Sequence, residues 1–230
     1  SNNRTFTDSI DTGFESGGGG ILSENDFIQD TLIFDQVSIL NNEVFNTENW
    51  SHGYGSGFRI EKGSSPNDTS DFYLEINNSM ISGNNMYSTS YSRGGGGHIG
   101  NSFQLTNLAI RNCTFSNNST WDEESLIVGQ GGGLYVVGIP INNTHYYFNT
   151  EFKNNSSREG GGIYISGGNS TFFKTRFINN FAYESGSGLF IINNDPIIIN
   201  MTNSNNISPY GNGAVFTQSD VLILNSIFNN

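Results

Sequence analysis

Few residues of this chain could perform catalysis, and their spacing does not bring them together. Hydrolysis of a glycosidic bond needs two carboxylates that face one cleft, about 5–10 Å apart. The segment SHGYGSGFRIEKG, residues 51–63, combines a histidine with basic residues but has no aspartate pair beside it. A carbohydrate-active enzyme, either a polysaccharide lyase or a hydrolase, therefore stays an alternative only. The aspartates fall at different positions of the repeat described below, and no carboxylate column is predicted from Asp35, Asp68, Asp71, Asp122, Asp195 and Asp220.

Metal and cofactor sites are equally poorly supported. The segment WDEES, residues 121–125, groups Asp122, Glu123 and Glu124, and Ca²⁺ takes carboxylate and carbonyl oxygens. A solvated acidic loop is the favoured interpretation of that segment. We predict no cofactor. The three histidines share no metal-ligand spacing, and a structural role is expected for each of His52, His98 and His145.

Charge and hydropathy exclude two classes of function. The net charge is -12 and only 9 residues are basic, whereas a nucleic-acid-binding protein needs a lysine and arginine footprint. No apolar run approaches the roughly 18 residues of a membrane span. The single cysteine, Cys113, cannot form an intrachain disulfide, and a small buried core residue is the expected role.

Two short phrases alternate along the chain and define its organisation. The first is a Gly-x-Gly phrase followed by an apolar residue, in which His98 takes the third position once; it occurs at 18–21, 55–58, 96–99, 131–134, 160–163, 186–189 and 211–214. The second ends in asparagine and occurs at 39–42, 81–84, 115–118, 152–155, 177–180, 203–206 and 228–230. Short runs with period-two alternation lie between the phrases, which indicates strands rather than helices.

A short repeat of strands without helices predicts an all-β fold, a β-solenoid of about seven coils. Stacked coils hydrogen-bond to each other at strand spacing, and equivalent residues then lie in columns. Glycine and asparagine tolerate the positive φ that sharp corners need. We therefore expect one corner at the glycine phrase and another at the asparagine phrase.

The two phrases resemble those of a known repeat family. GGGI, GGHI and GSGL are similar to the GGA[ILV] motif of polymorphic membrane protein (Pmp) repeats, and FSNN, FKNN and FINN are similar to the FxxN motif of the same repeats. The resemblance implies a right-handed parallel β-helix in a secreted or surface-exposed region, often adhesive. It covers nearly the whole chain from about Gly17 and is strongest from Asn107 onward.

A single domain over residues 1–230 follows from the continuous repeat. Residues 1–16 form a lead-in, residues 17–130 carry long insertions between coils, and residues 131–230 form regular coils that end without a polar cap. Three outward rings at equivalent positions of successive coils, Tyr135, Tyr164 and Phe190, predict an exposed aromatic column that could contact a sugar, a partner protein or a second copy.

Sequons and chain ends suggest a location and partners. Thirteen asparagines lie in N-x-[ST] sequons, of which Asn112 is expected to stack or point inward and so be blocked. The remaining glycosylation candidates are Asn3, Asn49, Asn67, Asn77, Asn117, Asn118, Asn142, Asn154, Asn155, Asn169, Asn200 and Asn206. They favour an extracellular or cell-surface glycoprotein without enzymatic activity, acting as a scaffold, an adhesin or a filament subunit. An uncapped coil end predicts end-to-end self-association, and a host-surface or glycan ligand is the other expected partner.

Overall fold

The chain folds into stacked β-coils, so the predicted all-β parallel solenoid is confirmed. The computed structural model describes residues 4–7, 15–17, 19–25, 30–46, 52–62, 72–88, 90–100, 105–120 and 128–229. Over these ranges there are strands, turns and bends and no helix, hence no helix that could cross a membrane. Neighbouring strands pair in parallel throughout the sheets.

The strands are short, and their bounds follow the two phrases. In the first half of the chain they are β1 (Arg4–Thr7), β2 (Glu15–Gly17), β3 (Ile21–Asn25), β4 (Asp30–Asp35), β5 (Ser38–Leu40), β6 (Glu43–Asn46), β7 (His52–Tyr54), β8 (Phe58–Lys62), β9 (Phe72–Asn77), β10 (Met80–Ser82), β11 (Asn85–Ser88), β12 (Tyr91–Arg93), β13 (Gly97–Gly100), β14 (Leu105–Arg111) and β15 (Thr114–Ser116). In the second half they are β16 (Val128–Gln130), β17 (Leu134–Phe148), β18 (Glu151–Lys153), β19 (Ser156–Glu159), β20 (Ile163–Phe173), β21 (Arg176–Ile178), β22 (Phe181–Ser185), β23 (Leu189–Ile192), β24 (Ile197–Ile199), β25 (Thr202–Ser204), β26 (Ala214–Thr217), β27 (Leu222–Leu224) and β28 (Ile227–Asn229).

Three faces run along the solenoid axis. The long sheet contains β3, β8, β13, β17, β20, β23 and β26, together with β4, β9, β14, β24 and β27. The phenylalanine sheet, which follows it in each coil, has seven strands in the order β28-β25-β21-β18-β15-β10-β5 and therefore confirms about seven coils. The third sheet carries β2, β7, β12, β16, β19 and β22. The two strands within the expected lead-in, β1 and β2, already pair with β6 and β7.

A corner that the sequence did not predict divides the long sheet from the phenylalanine sheet. The run STFFKTRF, residues 170–177, has no glycine or asparagine and is typical of one strand, but β20 ends at Phe173 and β21 begins at Arg176. Lys174 lies between them at φ 53°, a left-handed conformation. Asparagine takes the same conformation in most other coils, because it tolerates positive φ better than other side chains. The equivalent corner residues are Gln36, Asn78, Asn112, Asn149, Asn200 and Asn225.

The two sequence phrases meet inside the solenoid at a ladder of buried asparagines. Each is the last residue of an asparagine phrase, and the members are Asn42, Asn84, Asn118, Asn155, Asn180 and Asn206. The side chain of Asn118 is representative. Its Nδ2 donates to Asn155 Oδ1 at 3.0 Å and to the Ile81 carbonyl at 3.0 Å, while its Oδ1 accepts from Nδ2 and the backbone N–H of Asn84 at 2.9 and 3.0 Å. The amide is thus fully hydrogen-bonded while buried, as a polar group in a core must be.

The glycine phrase supplies the space that this ladder occupies. A Cβ on Gly133 would lie 2.4 Å from the Gly162 carbonyl oxygen and 3.1 Å from Asn155 Nδ2. The first glycine of the same phrase, Gly131, turns the corner at φ 67°. The third glycine is therefore required by close packing and the first by backbone conformation.

One glycine phrase begins two residues earlier than predicted, at Gly94 instead of Gly96. The prediction aligned 96–99 with the other copies and put His98 at the third glycine position. The register instead pairs Gly97 with Phe58 and Leu134, so Gly97 occupies the inward apolar position and His98 faces outward. The Phe58 ring fills the space of the missing side chain, since a Cβ on Gly97 would lie 2.2 Å from it. A large residue thus compensates for a small one in the next coil.

The ladder predicts a large difference in stability between two adjacent asparagines. Replacing Asn155 with Ala removes its own bonds and leaves the backbone N–H of Asn118 and one of its two Nδ2 hydrogens buried without an acceptor. We expect a loss of about 2–4 kcal/mol in the free energy of unfolding, measured by denaturant titration. Asn154→Gly is the control, because Asn154 is exposed, has φ 54° and makes one bond of 3.2 Å. A loss in Asn155→Ala no larger than that of the control would contradict the ladder.

Candidate functional site

The three predicted rings do come together, and they form part of a longer column. Tyr135, Tyr164 and Phe190 occupy matched positions in β17, β20 and β23. Their ring centroids lie 5.2 and 5.0 Å apart, with interplanar angles of 21° and 4°. His98 stacks on Tyr135 at 5.1 Å and 18°, so it is a fourth member that the misaligned phrase concealed. We call these four residues the ring column.

The ring column is not the exposed surface that the sequence predicted. Tyr135 is 4% exposed and His98 2%, while Tyr164 and Phe190 are half-buried. The glycine corner brings Tyr54 of the third sheet against His98, with 4.9 Å between ring centroids. Because each ring also covers the face of the next, the column presents mainly ring edges. Its stacking stabilises adjacent coils, and it offers little flat surface to a sugar.

A charged group lies beside the ring column in the second and third coils. Glu61 accepts from Arg59 Nη2 at 2.7 Å and from His98 Nε2 at 3.1 Å. Burial raises the pKa of the Glu61 carboxyl, but the hydrogen bonds from His98 and Arg59 outweigh it and lower that pKa to about 2. Burial lowers the pKa of His98 more than Glu61 raises it. The arrangement is therefore an ionised glutamate that holds a neutral imidazole, with His98 Nδ1 left unpartnered.

An apolar patch covers part of the outer surface of the long sheet. Outward positions of a strand are normally polar, yet Tyr146, Phe148 and Ile197 are 45%, 42% and 39% exposed. Phe148 stacks on half-buried Phe173 at 5.4 Å. We call the set Tyr146, Phe148, Phe173, Ile197 and Ile199 the lateral face. Its signal in the sequence was an unbroken apolar run in each strand, HYYF, TFF and III, where alternation was expected.

The lateral face is confined to the later coils. In the two preceding coils, the positions of Tyr146 and Phe148 are occupied by Ala109 and Arg111 and by Glu75 and Asn77. Arg111 and Glu75 form an ion pair of 3.4 Å there. The column of Phe148 thus changes from polar to apolar along the axis, whereas the column of Tyr146 is mixed, with exposed Ile33 in the first coil and Thr171 between Tyr146 and Ile197. Sheets whose strands are apolar on both sides are usually covered on both sides.

The prediction that no carboxylate column forms is wrong for two aspartates, which lie in one column. Ile197 pairs with Leu222. Asp195 and Asp220 each lie two residues before these strand residues, so they hold equivalent positions in adjacent coils. The backbone N–H of Asp220 donates to Asp195 Oδ1 at 2.8 Å, and that of Asp195 donates to Asn169 Oδ1 at 3.4 Å. The carboxylate of Asp195 therefore continues an outer ladder of side chain to backbone bonds. The sequence placed these two aspartates at different repeat positions because Asp195 follows an asparagine pair, whereas Asp220 follows a serine.

The remaining predicted residues have structural surroundings or lie outside the described residues. Cys113 is buried as predicted, its thiol donates to the carbonyl of Ile76 at 3.2 Å, and burial raises its pKa. His52 lies edge-on to Tyr91, with 5.0 Å between ring centroids. No group of three or more metal-ligating residues occurs in the ranges that the structure describes. The acidic segment with Asp122, Glu123 and Glu124 lies outside those ranges.

The structure separates the sequons into two groups. Asn118, Asn155 and Asn206 belong to the buried ladder, so a glycan on Nδ2 would remove their hydrogen bonds and could not be accommodated. These three candidates are therefore corrected. Asn112 is exposed rather than inward, and it stacks as expected between the amides of Asn78 and Asn149. The candidates at exposed or half-buried positions are Asn77, Asn117, Asn154, Asn169 and Asn200. Asn3, Asn49 and Asn67 lie outside the described residues, as does the side chain of Asn142.

His145 makes the stability of the fold dependent on pH. It is buried in the core and neither ring nitrogen has a hydrogen-bond partner among the described residues. Burial lowers its pKa from 6.5 to about 3. The unfolded chain therefore binds the proton first, and stability is full above about pH 6.5 and falls as pH decreases toward 3.

We predict that His145→Leu reduces the loss of stability between pH 6.5 and 4.5. The histidine contributes up to about 1.4 kcal/mol per pH unit there. Glu61 acts in a lower window, because a carboxyl with a lowered pKa destabilises the fold only once the pH falls below its ordinary value. Thermal unfolding at several pH values measures the slope. Tyr147→Phe is the control, since it removes a buried hydroxyl from the same core that does not titrate in this range. An unchanged slope in His145→Leu would contradict the assignment.

The fold and its columns define a parallel β-helix built from short repeats. The family model of the Chlamydia polymorphic membrane protein repeat matches residues 112–137 and 149–166, so the chain carries repeats of this type, as the sequence predicted. The matched stretches include two corner asparagines, two ladder asparagines and two glycine phrases. No curated protein and no solved structure matched the chain.

Proposed function

We propose that this protein is a non-enzymatic, extracellular β-solenoid that adheres to a partner protein through the lateral face. The observation that carries the proposal is the change of one outward column in mid-chain, from polar Asn77 and Arg111 to apolar Phe148, Phe173 and Ile199. Exposed aromatic side chains grouped in this way are enriched at protein interfaces. The repeat family supports a surface location, because its members are surface proteins.

A scaffold role agrees with where the polar groups of the chain are engaged. The amides of the ladder, the glutamate beside His98 and the carboxylate of Asp195 each hydrogen-bond within the solenoid. Groups that satisfy neighbouring coils are not poised toward a substrate, which supports a non-enzymatic role over a carbohydrate-active one. End-to-end association stays a prediction, since further coils of the same chain would cover the last coil as well as a second copy would.

Adhesion through the lateral face is tested by removing its two most exposed rings. Beads coated with the double variant Tyr146→Ser/Phe148→Ser should adhere to cultured epithelial cells at least about tenfold less than beads with the parent protein. Tyr73→Ser is the matched control, because Tyr73 is a tyrosine of the same sheet that is 37% exposed and lies outside the face. Equal adhesion by the double variant, or equal loss in both variants, would refute the role of this face. Light scattering of both proteins verifies that neither is aggregated.

Glycan mapping tests the glycoprotein part of the proposal. We predict occupancy in native material at exposed members such as Asn117, Asn154 and Asn200, and none at Asn118, Asn155 or Asn206. In each overlapping pair the first asparagine is then the modified one. Peptide mass spectrometry before and after enzymatic removal of N-glycans measures this. A mass unchanged by that treatment would refute glycosylation, and a glycan on Asn155 would contradict the assignment within the pair.

A further inference from the structure

Arg93 differs from the other arginines that the structure describes. Four of them form an ion pair with a glutamate: Arg59 with Glu61, Arg111 with Glu75, Arg158 with Glu184 and Arg176 with Glu151. The side chain of Arg93 forms no ion pair and no hydrogen bond with the described residues, and its Nε is buried without a partner. A buried donor without an acceptor is costly in a folded protein. The two Nη groups of Arg93 reach solvent and are open to an acceptor.

Aromatic rings, rather than an acid, surround this guanidinium. Its carbon lies 5.2 Å from the ring centroid of Tyr91, 5.4 Å from that of Tyr135 and 5.8 Å from that of Tyr54. Such contacts stabilise a cation by about 0.5–1 kcal/mol each at exposed sites, and they leave the N–H groups free. The rings thus hold the side chain in place without using its hydrogen-bonding capacity. Tyr91, 37% exposed, keeps the cluster open to solvent.

The acidic groups nearest along the same columns are already engaged. Arg93 pairs in register with Gln130, which pairs with Glu159 in the following coil. Gln130 Nε2 donates to Glu159 Oε2 at 2.9 Å, and Glu61 is held by Arg59 and His98. No internal carboxylate is therefore available to Arg93 among the described residues. The guanidinium is therefore open to an acceptor that approaches from solvent.

We propose that Arg93 and the tyrosines around it bind the carboxylate of a uronic-acid sugar. The planar fork of a guanidinium matches a carboxylate in bidentate geometry. A single anionic group suits this chain, because a net charge of -12 repels polyanions. Tyr91, the exposed ring of the cluster, adds ring surface and a phenol hydroxyl, which are the groups that contact the C–H faces and hydroxyls of a sugar, whereas buried Tyr54 and Tyr135 hold the guanidinium in place. This site is separate from the lateral face, and its test does not depend on adhesion.

The experiment is a titration of the isotope-labelled protein with sodium glucuronate in low salt, monitored by NMR at the arginine Nε–H and tyrosine ring signals. We expect saturable shifts with a Kd of roughly 1–10 mM, the range of a single charge-assisted contact supplemented by ring packing. Glucose, which lacks the carboxylate, should give no saturable shift. Acetate, which lacks the sugar ring, should bind at least about threefold more weakly.

Variants identify the residue responsible. Arg93→Gln should weaken glucuronate binding about tenfold or more, and Arg93→Lys, which retains the charge without the fork, should weaken it less. Arg176→Gln is the control, because it removes an equal charge from an ion-paired arginine on another sheet and should leave the Kd unchanged. The absence of a saturable shift, equal binding of acetate or glucose, or an equal loss in Arg176→Gln would each overturn the proposal. If Arg93→Gln does not fold, as judged by its amide spectrum, Arg93→Lys decides.

Discussion

The hydrogen bonds between buried asparagine side chains are the constraint from which the remaining structure follows. An unpaired amide in a core costs about 1–3 kcal/mol, whereas a fully paired one costs little. Asn118 and its equivalents are paired only if the next coil places its own asparagine directly above. Consecutive members are 42, 34, 37, 25 and 26 residues apart, so the coils differ in length while the register is kept. Insertions lie between the ladder and the next glycine phrase and also in the long-sheet segment after the glycine phrase, as the register shift between Ile139 and Thr144 shows.

The glycine phrase and the columns of rings depend on that register. The third glycine of each phrase has no Cβ because the ladder and a carbonyl of the next coil occupy that space. In three successive coils the residue three positions before the ladder asparagine is a phenylalanine, and Phe115, Phe152 and Phe177 stack on one another with spacings of 5.0 Å. Two motifs that are far apart in the sequence are thus two sides of one contact.

The sequence predicted the fold class, both phrases and the alignment of Tyr135, Tyr164 and Phe190, because identical residues recurring in order require stacked coils. It did not predict the corner at Lys174, where a lysine replaces the asparagine of other coils. It also misplaced His98, since four consecutive glycines at 94–97 allow more than one alignment and only the Phe58 ring decides between them. Burial of the ring column and of three sequon asparagines depends on neighbouring coils and corners, which local pattern cannot specify. The lateral face was present in the sequence as unbroken apolar runs, but these resemble core strands until the inward residues are known.

The buried ladder gives the solenoid axis a chemical direction. Every rung from Asn42 to Asn180 donates toward the coil that follows it, whereas the exposed amides of Asn112, Asn149 and Asn154 donate toward the coil that precedes them. The core and the surface therefore carry opposed rows of amide dipoles. The last described rung differs, because Asn206 donates its two Nδ2 hydrogens to Asn203 Oδ1 and to the Phe177 carbonyl. The two directions along the solenoid are therefore chemically distinct, and a coil stacked in the reverse direction would not reproduce the pairing of donors with acceptors.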